Sequence, residues 1–129
     1  MDYSVVIPTM DDEEVSQTIG AAASQKFDSF EVIVVDASGE GHAETVRRAA
    51  DRHGARYVRE GDFKNSWGLN AARNIGAEVS EGDKVVLLDG DCLPPENWLS
   101  ALDKAFEEGA DMADTRVEYS SDGKNCPLD

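Results

Sequence analysis

Hydrophobic positions along the chain fall into short continuous runs and into stripes spaced three or four residues apart. The continuous runs predict strands at residues 4–7, 31–35, 56–59 and 84–88. The spaced stripes predict helices over residues 11–25, 42–53, 69–78 and 95–108. Because strands alternate with helices, the pattern is typical of a mainly parallel sheet sandwiched by helices, an α/β fold.

The pattern weakens towards the end of the chain. A further strand is predicted at residues 111–118, and the residues from 120 to 129 are polar and lack periodicity. Segments of this kind at a chain end are commonly loose, so we expect a loose tail there.

The balance of charge is the most unusual property of the composition. The 129 residues include 27 Asp and Glu against 12 Lys and Arg, a net charge of -15. This excludes a general nucleic-acid binder and argues against docking on anionic membranes, because both need a basic surface. The acids are spread along the chain, which favours a halophilic source, with an ordinary acidic protein as the alternative.

No apolar stretch approaches the length of a transmembrane helix. The residues Met1-Asp2-Tyr3-Ser4 lack the basic region of a signal peptide, so we expect a cytoplasmic protein. Cys92 and Cys126 form neither a metal-ligand pattern nor a disulfide framework, and Cys92 is expected to be a small packing residue.

The strongest chemical signal is the acidic pair that follows the fourth predicted strand. The apolar run Val85–Leu88 leads directly into Asp89-Gly90-Asp91. In parallel sheets, ligands bind beyond the carboxyl ends of the strands. Two carboxylates this close repel each other unless a cation lies between them, and Mg²⁺ or Mn²⁺ prefers such oxygen ligands and shares them with phosphates. The alternative is a polar turn that contains a glycine.

Other polar residues stand at the ends of the first two strands and on the third helix. Pro8 and Thr9 follow the first strand, and the Asp36 carboxylate, at the end of the second, can accept hydrogen bonds from a base or ribose. A turn cap is an equally common role for Asp36. Arg73 lies among small residues and can donate charge-assisted hydrogen bonds to phosphate, although a surface ion pair is its alternative role.

Four segments in this order resemble the family 2 glycosyltransferases, which have the GT-A fold. They are Val5–Thr9, Glu31–Ser38, Asn70–Gly76 and Leu88–Pro94, the last followed by Trp98-Leu99. The resemblance extends from residue 4 to about residue 118. Each segment alone is common among proteins, whereas the four in order are specific.

The resemblance implies an enzyme that transfers a sugar from a nucleotide-diphospho-sugar to an unknown sugar, lipid or protein acceptor. It places Thr9 and Asp36 near the base and ribose and Arg73 near the donor. Asp89 and Asp91 match the metal-binding DxD pair for Mg²⁺ or Mn²⁺, with Asp91 as the more direct ligand. The nucleotide-sugar-binding residues implied are Pro8, Thr9, Asp36, Arg73, Asp89 and Gly90.

The chain departs from the family pattern at several points. Met10 and Asp11 stand where an aromatic residue and Asn are usual, and Ala37 stands where a second acid is common. Members usually continue into an acceptor-binding half with a catalytic base, and no acid in residues 111–129 identifies itself as that base. We therefore expect a donor-binding domain over residues 1–118, with residues 119–129 either a loose tail or the start of a missing acceptor half.

Three other functions are compatible with parts of the pattern. A nucleotide-sugar-binding module without transfer activity would need the same donor residues. A Mg²⁺-dependent phosphatase of the haloacid-dehalogenase kind normally carries its acidic loop after the first strand, not the fourth. A receiver-like domain could use Asp11, Asp12 and Asp36, but it would lack a lysine after a late strand and would leave Arg73 unexplained.

Overall fold

The structure, a computed structural model, describes residues 1–62 and 68–110 and the short segments 118–120 and 123–125. Strands and helices alternate along the chain, as predicted. The helices are α1 (Val15–Ala23), α2 (Glu40–Arg52), α3 (Gly68–Val79) and α4 (Trp98–Glu107). The strands are β1 (Tyr3–Thr9), β2 (Phe30–Asp36), β3 (Arg56–Arg59), β4 (Lys84–Leu87), β5 (Cys92–Leu93), β6 (Glu118–Ser120) and β7 (Gly123–Asn125).

The main sheet has the order β3-β2-β1-β4, and every pairing in it is parallel. Thr9 pairs with Asp36, and Asp36 pairs with Arg59, so three strands end in register. The backbone N–H of Leu88 donates to the carbonyl of Val6 at 2.9 Å, which extends the pairing of β4 up to the acidic loop. The carboxyl ends of all four strands therefore lie along one edge.

Both faces of the sheet are buried at the central strands β1 and β2, which explains why these strands read as continuous apolar runs, whereas Val85 and Leu87 of β4 are exposed. Alternate residues of β1 and β2 face opposite ways. On one face the core contains Tyr3, Val5, Ile7, Val32 and Val34 together with apolar residues of α1, α2 and α4. On the other face it contains Val6, Ile33, Val35, Ala72 and Ile75, the last two from α3. The predicted sandwich is confirmed.

The close approach of α3 to the sheet depends on Gly76. A Cβ atom at this position would collide with the side chain of Val6 on β1. Because interiors are close-packed, a larger residue would push α3 away from the sheet. The glycine of the Asn70–Gly76 segment therefore fixes the distance at which α3 presents Arg73.

Two helices begin later than their sequences predict. The first was predicted from residue 11, but Asp11 has a φ of 54° and α1 begins at Val15. A residue in the left-handed region cannot start a right-handed helix, so the acids of residues 11–14 form a turn instead. The last was predicted from Pro95, whose carbonyl accepts a turn hydrogen bond from the N–H of Trp98 at 3.0 Å. Helix α4 begins only there.

A second, small sheet has the order β5-β7-β6. Strand β7 pairs in parallel with β5, directly after the acidic loop, and antiparallel with β6. Residues 123–125, which lie in the segment expected to be loose, form a strand. Most of the strand predicted at 111–118, and the remainder of the tail, lie outside the described residues. No helix among those described is long and apolar enough to cross a membrane.

Candidate functional site

The acidic loop Asp89-Gly90-Asp91 leaves β4 in a tight turn that α1 holds in place. The N–H of Cys92 donates to the carbonyl of Asp89 at 3.1 Å, which closes the turn. The hydroxyl of Thr18 on α1 donates to the carbonyl of Gly90 at 3.0 Å, in a buried hydrogen bond. Thr18 and Gly90 are both buried, so the loop backbone is supported from below while its carboxylates point outward.

Gly90 packs directly against the end of β1. A Cβ atom there would lie 2.5 Å from Asp12 Oδ2 and 3.0 Å from Thr9 Oγ1. Those two atoms are themselves joined, because the Thr9 hydroxyl donates to Asp12 Oδ2 at 2.8 Å. Only a residue without a side chain leaves this pair undisturbed. The structure thus brings Thr9 and Gly90 together, as predicted, and adds Asp12, which was not among the predicted site residues.

Arg73 reaches the acidic loop from the other face of the sheet. Its Nη2 lies 3.5 Å from Asp89 Oδ1, and the two side chains are 34% and 54% exposed. Its Nη1 donates to Asn70 Oδ1 at 2.9 Å, within the same helix. An ion pair this long and this exposed contributes little to stability. Both charged groups therefore stay accessible to a ligand between them.

These residues enclose a cleft of about 170 Å³ at the carboxyl edge of the sheet. Apart from Asp12 and Leu69, every lining residue is one that the sequence predicts. The lining comprises Pro8, Asp12, Leu69, Arg73, Asp89, Gly90 and Asp91. Three carboxylates against one guanidinium make the cleft negative, so a phosphorylated ligand would need a cation beside it.

The donor atoms for such a cation are grouped. One ligand atom from each of Asp89, Asp91 and Cys92 lies within 4.8 Å of the others. Carboxylate oxygens suit Mg²⁺ and Mn²⁺, while a thiolate suits softer ions. Cys92 is only 2% exposed and belongs to the core, which confirms its predicted packing role. The two aspartates are therefore the part of the group that fits the predicted metals.

A larger cavity, of about 400 Å³, lies at the opposite end of the strands. It contains none of the predicted site residues and is lined by Ala23, Phe30, Glu31, Val32, His53, Gly54 and Arg56. Ligands of parallel sheets bind at the carboxyl ends, so the smaller cleft is the candidate site.

Asp36 lies along the same edge but does not line the cleft. Its side chain has no exposed surface. Oδ1 accepts the N–H of Ser38 at 2.9 Å, and Oδ2 accepts the hydroxyl of Tyr57 at 2.7 Å. Arg59 Nη1 lies 3.4 Å from the same Oδ2. The turn-capping role of Asp36 is confirmed, and its contact with a base or ribose stays a prediction.

The buried surroundings of Tyr57 change the pKa of its hydroxyl. Burial of its ring, and then the hydrogen bond to the Asp36 carboxylate, raise the pKa of the Tyr57 hydroxyl well above its usual range. The hydroxyl therefore stays protonated and keeps donating to Asp36 at every physiological pH. Tyr57 and Arg59 were not predicted as site residues, because only the pairing of β3 with β2 brings them to Asp36.

The loops after β1 and β2 are tied together beside Asp36. The N–H of Asp11 donates to Ser38 Oγ at 2.8 Å, and the N–H of Gly39 donates to Asp11 Oδ1 at 3.1 Å. Asp and Asn are the residues other than glycine that most readily take the left-handed conformation found at Asp11. Asp11 therefore suits the backbone conformation found at this position.

Comparison with known proteins identifies the family. The model of the family described as "Glycosyl transferase family 2" matches residues 4–126. Glycosyltransferase AglE of Haloferax volcanii is 32% identical over 122 residues, which are 91% of this chain and 40% of that protein. The undecaprenyl-phosphate 4-deoxy-4-formamido-L-arabinose transferase of Pseudomonas syringae pv. syringae is 31% identical over 117 residues, 87% of this chain and 34% of the other.

Solved structures support the same fold. TarS 1-349 of S. aureus superposes with a TM-score of 0.68 at 25% identity, covering 84% of this chain and 33% of that one. Glucosyl-3-phosphoglycerate synthase from Mycobacterium tuberculosis, solved with Mn²⁺ and UDP, superposes with a TM-score of 0.59 at 25% identity. That match covers 81% of this chain and 39% of the synthase. The predicted GT-A fold is confirmed, and the chain spans roughly a third to two fifths of these relatives.

Proposed function

Because this chain belongs to glycosyltransferase family 2, we propose that it forms the donor-binding part of an enzyme that transfers a sugar from a nucleotide-diphospho-sugar. The observation that carries the proposal is the cleft in which Asp89, Asp91 and Arg73 converge at the carboxyl edge of the sheet. Carboxylates for a cation and a guanidinium for a phosphate are the groups that a diphosphate needs.

The diphosphate side of the site lies at the acidic loop. Asp89 and Asp91 hold Mg²⁺ or Mn²⁺, and the Mn²⁺ and UDP present in the mycobacterial synthase support this choice. A metal bound there supplies a positive charge that stabilises the leaving diphosphate. Arg73 donates to the same phosphates, and it exchanges its long contact with Asp89 for shorter, charge-assisted hydrogen bonds. Gly90 lines the same cleft, and because it has no side chain it leaves Thr9 and Asp12 undisturbed beside the donor.

The nucleoside side lies at the ends of β1 and β2. Pro8 and Thr9 form its floor, and Asp36 stands next to Thr9 in register. We assign these three residues to the base and ribose. Thr9 also keeps Asp12 in a fixed position, through the hydrogen bond that its hydroxyl donates.

The acceptor is a sugar, a lipid or a protein. The Pseudomonas relative is named as a transferase that uses undecaprenyl phosphate, which favours a lipid phosphate among the three. Cytoplasmic placement stays a prediction.

The test is calorimetric titration of the chain with UDP, GDP and dTDP, with Mn²⁺ and again with EDTA. We expect at least one of the three to bind about tenfold more tightly with Mn²⁺. The variant Asp91→Ala should lose this difference, while Asp51→Ala, which removes an exposed acid from α2, should retain it. Equal affinities of the wild type with and without the metal would contradict the proposal.

A nucleotide-sugar-binding module without transfer activity is the second candidate. Analysis of the products formed from a nucleotide-sugar distinguishes it from an active transferase. We have assigned no residue as the base that would activate an acceptor hydroxyl. We therefore expect the 129-residue chain by itself to bind the donor and hydrolyse it slowly, with little or no transfer. Rapid transfer to an added acceptor would show that the chain holds a base of its own.

A further inference from the structure

Two polar side chains, one on α1 and one just beyond it, hold the segment that joins β4 to α4. Near the start of this segment, the hydroxyl of Thr18 donates to the carbonyl of Gly90 at 3.0 Å. Near its end, Gln25 Nε2 donates to the carbonyl of Pro95 at 2.7 Å, and Gln25 Oε1 accepts the N–H of Leu99 at 2.8 Å. The acidic loop therefore belongs to a segment that is fixed by side chains at both ends.

The hydroxyl of Thr18 is not needed to fill the core. Thr18 has no exposed surface, and its buried neighbours along α1 are Val15, Ile19 and Ala22, which are all apolar. A valine has nearly the same shape and would bury no polar atom. A buried hydroxyl at this position therefore contributes through the hydrogen bond that it makes, because a polar group removed from water costs free energy unless it is paired.

That hydrogen bond acts on the peptide unit between the two carboxylates of the loop. The carbonyl of Gly90 belongs to the peptide bond that joins Gly90 to Asp91, so its direction fixes the backbone from which the Asp91 side chain departs. A glycine must stand here, because a Cβ atom would collide with Asp12. Glycine also leaves the backbone the widest choice of conformations. Thr18 removes that freedom at the point where the spacing of the two carboxylates is set.

The spacing matters because a cation needs both carboxylates at once. Ligand atoms of Asp89 and Asp91 already lie within 4.8 Å of each other. Groups that orient metal ligands without touching the metal commonly change its affinity 10–100-fold. We propose that Thr18 is a positioning residue for the divalent cation, which it serves by fixing the Gly90–Asp91 peptide. This inference rests on the proposed function, since it requires the two aspartates to hold the metal.

The experiment measures the affinity for Mn²⁺ alone, from the loss of the electron paramagnetic resonance signal of the free ion. Binding that remains in Asp91→Ala is subtracted, because an acidic surface also attracts the ion. We expect Thr18→Val to weaken the specific binding about tenfold, and Thr18→Ser, which keeps the hydroxyl, to stay within about twofold of the wild type.

A second measurement needs no metal. The N–H of Cys92 closes the turn by donating to the carbonyl of Asp89. In the metal-free chain, hydrogen exchange at this N–H should be at least about tenfold faster in Thr18→Val than in the wild type, because the loop backbone has lost its support. An unchanged exchange rate would contradict the proposed fixing of the loop.

The matched control is Ser4→Ala, which removes a buried hydroxyl at the opposite end of the sheet. The Ser4 hydroxyl donates to Glu31 and accepts the N–H of Gly82. This variant should lower the melting temperature as Thr18→Val does, yet keep the wild-type affinity for Mn²⁺. An equal loss of affinity in both variants would reduce Thr18 to a contributor to general stability and would overturn its positioning role.

Two further outcomes would overturn the role of Thr18 alone. One is an unchanged affinity in Thr18→Val while the wild type binds Mn²⁺ more tightly than Asp91→Ala does. The other is a loss that Thr18→Ser does not restore, since the hydroxyl would then not be its cause. If the wild type binds Mn²⁺ no better than Asp91→Ala, the metal site of the proposed function is overturned together with this inference.

Discussion

The two ends of the candidate site use aspartate in opposite ways. At the nucleoside end, the side chain of Asp36 is fully buried and accepts hydrogen bonds on both oxygens. At the metal end, the side chain of Asp89 is 54% exposed, with one long contact to Arg73 at 3.5 Å. Both residues follow a strand of the same sheet, and the sequence assigns both to the same ligand.

The difference shows that burial, not residue type, decides what a carboxylate at a strand end can do. An exposed carboxylate can be reached by a cation and keeps lone pairs for it. A buried one must have its charge compensated by the protein, so its hydrogen bonds also hold the neighbouring strands and loops together. Asp36 therefore holds the neighbouring strand ends together, whereas Asp89 and Asp91 line the cleft.

The largest expected effect concerns stability. Asp36→Ala would leave the Tyr57 hydroxyl, the Arg59 guanidinium and the Ser38 N–H without their acceptor. We expect the free energy of unfolding to fall by about 3 kcal/mol. Asp89→Ala should change it by less than about 0.5 kcal/mol, because its ion pair is long and exposed. Urea denaturation of both variants measures the contrast, and equal costs would remove the distinction between the two ends.

The next effect concerns the binding of pyrophosphate with Mn²⁺, a ligand that lacks base and ribose. Asp89→Ala should weaken it at least about tenfold, because the metal loses a ligand. Tyr57→Phe keeps the Asp36 carboxylate and should leave the affinity for pyrophosphate unchanged. A comparable loss in both variants would mean that the two ends do not bind separate parts of the donor.

Salt should change the stability of the whole chain but not the contribution of the buried Asp36 contacts. A net charge of -15 repels itself, and 1 M KCl shortens the Debye length from about 10 Å at 0.1 M to about 3 Å. We expect the melting temperature to rise by about 5 °C over this range, as a halophilic source would require. The stability cost of Asp36→Ala should stay constant, since buried pairs are screened little. A flat melting curve would argue for an ordinary acidic protein.

The smallest effect is a pH dependence of stability. The pKa of Tyr57 is raised in the folded state, by burial and by Asp36, above its unfolded value of about 10. The protonated Tyr57 hydroxyl therefore makes its full contribution to the free energy of unfolding below pH 10. This contribution is lost as the pH rises further, because the unfolded chain releases the proton first.

Tyr57→Phe removes this titration. The difference in unfolding free energy between wild type and variant should shrink by about 1 kcal/mol or less between pH 9 and pH 11. Denaturation series at the two pH values measure it. A difference that stays constant would show that the Tyr57 hydroxyl titrates normally in the folded chain.

Much of this protein was determined by its sequence, because the relevant signals are local. Continuous apolar runs define the strands, of which β1 and β2 are buried on both faces. The run that ends in Asp89-Gly90-Asp91 places two carboxylates at the end of a strand. The spacing of apolar residues around Arg73 predicted a helix, and the structure adds that Gly76 lets this helix pack closely against β1. These features supplied the fold class and the metal end of the candidate site.

Other features depended on contacts between distant segments, and only the tertiary structure decided them. The sequence predicts Asp36 as a ligand-binding residue, but only the register of β3 shows that Tyr57 and Arg59 pack against its carboxylate. Asp12 enters the cleft because Asp11 adopts a left-handed conformation that delays α1. The physical reason is common to both: a side chain's residue type follows from sequence, whereas its burial and its partners exist only once strands and loops from separate parts of the chain have packed together.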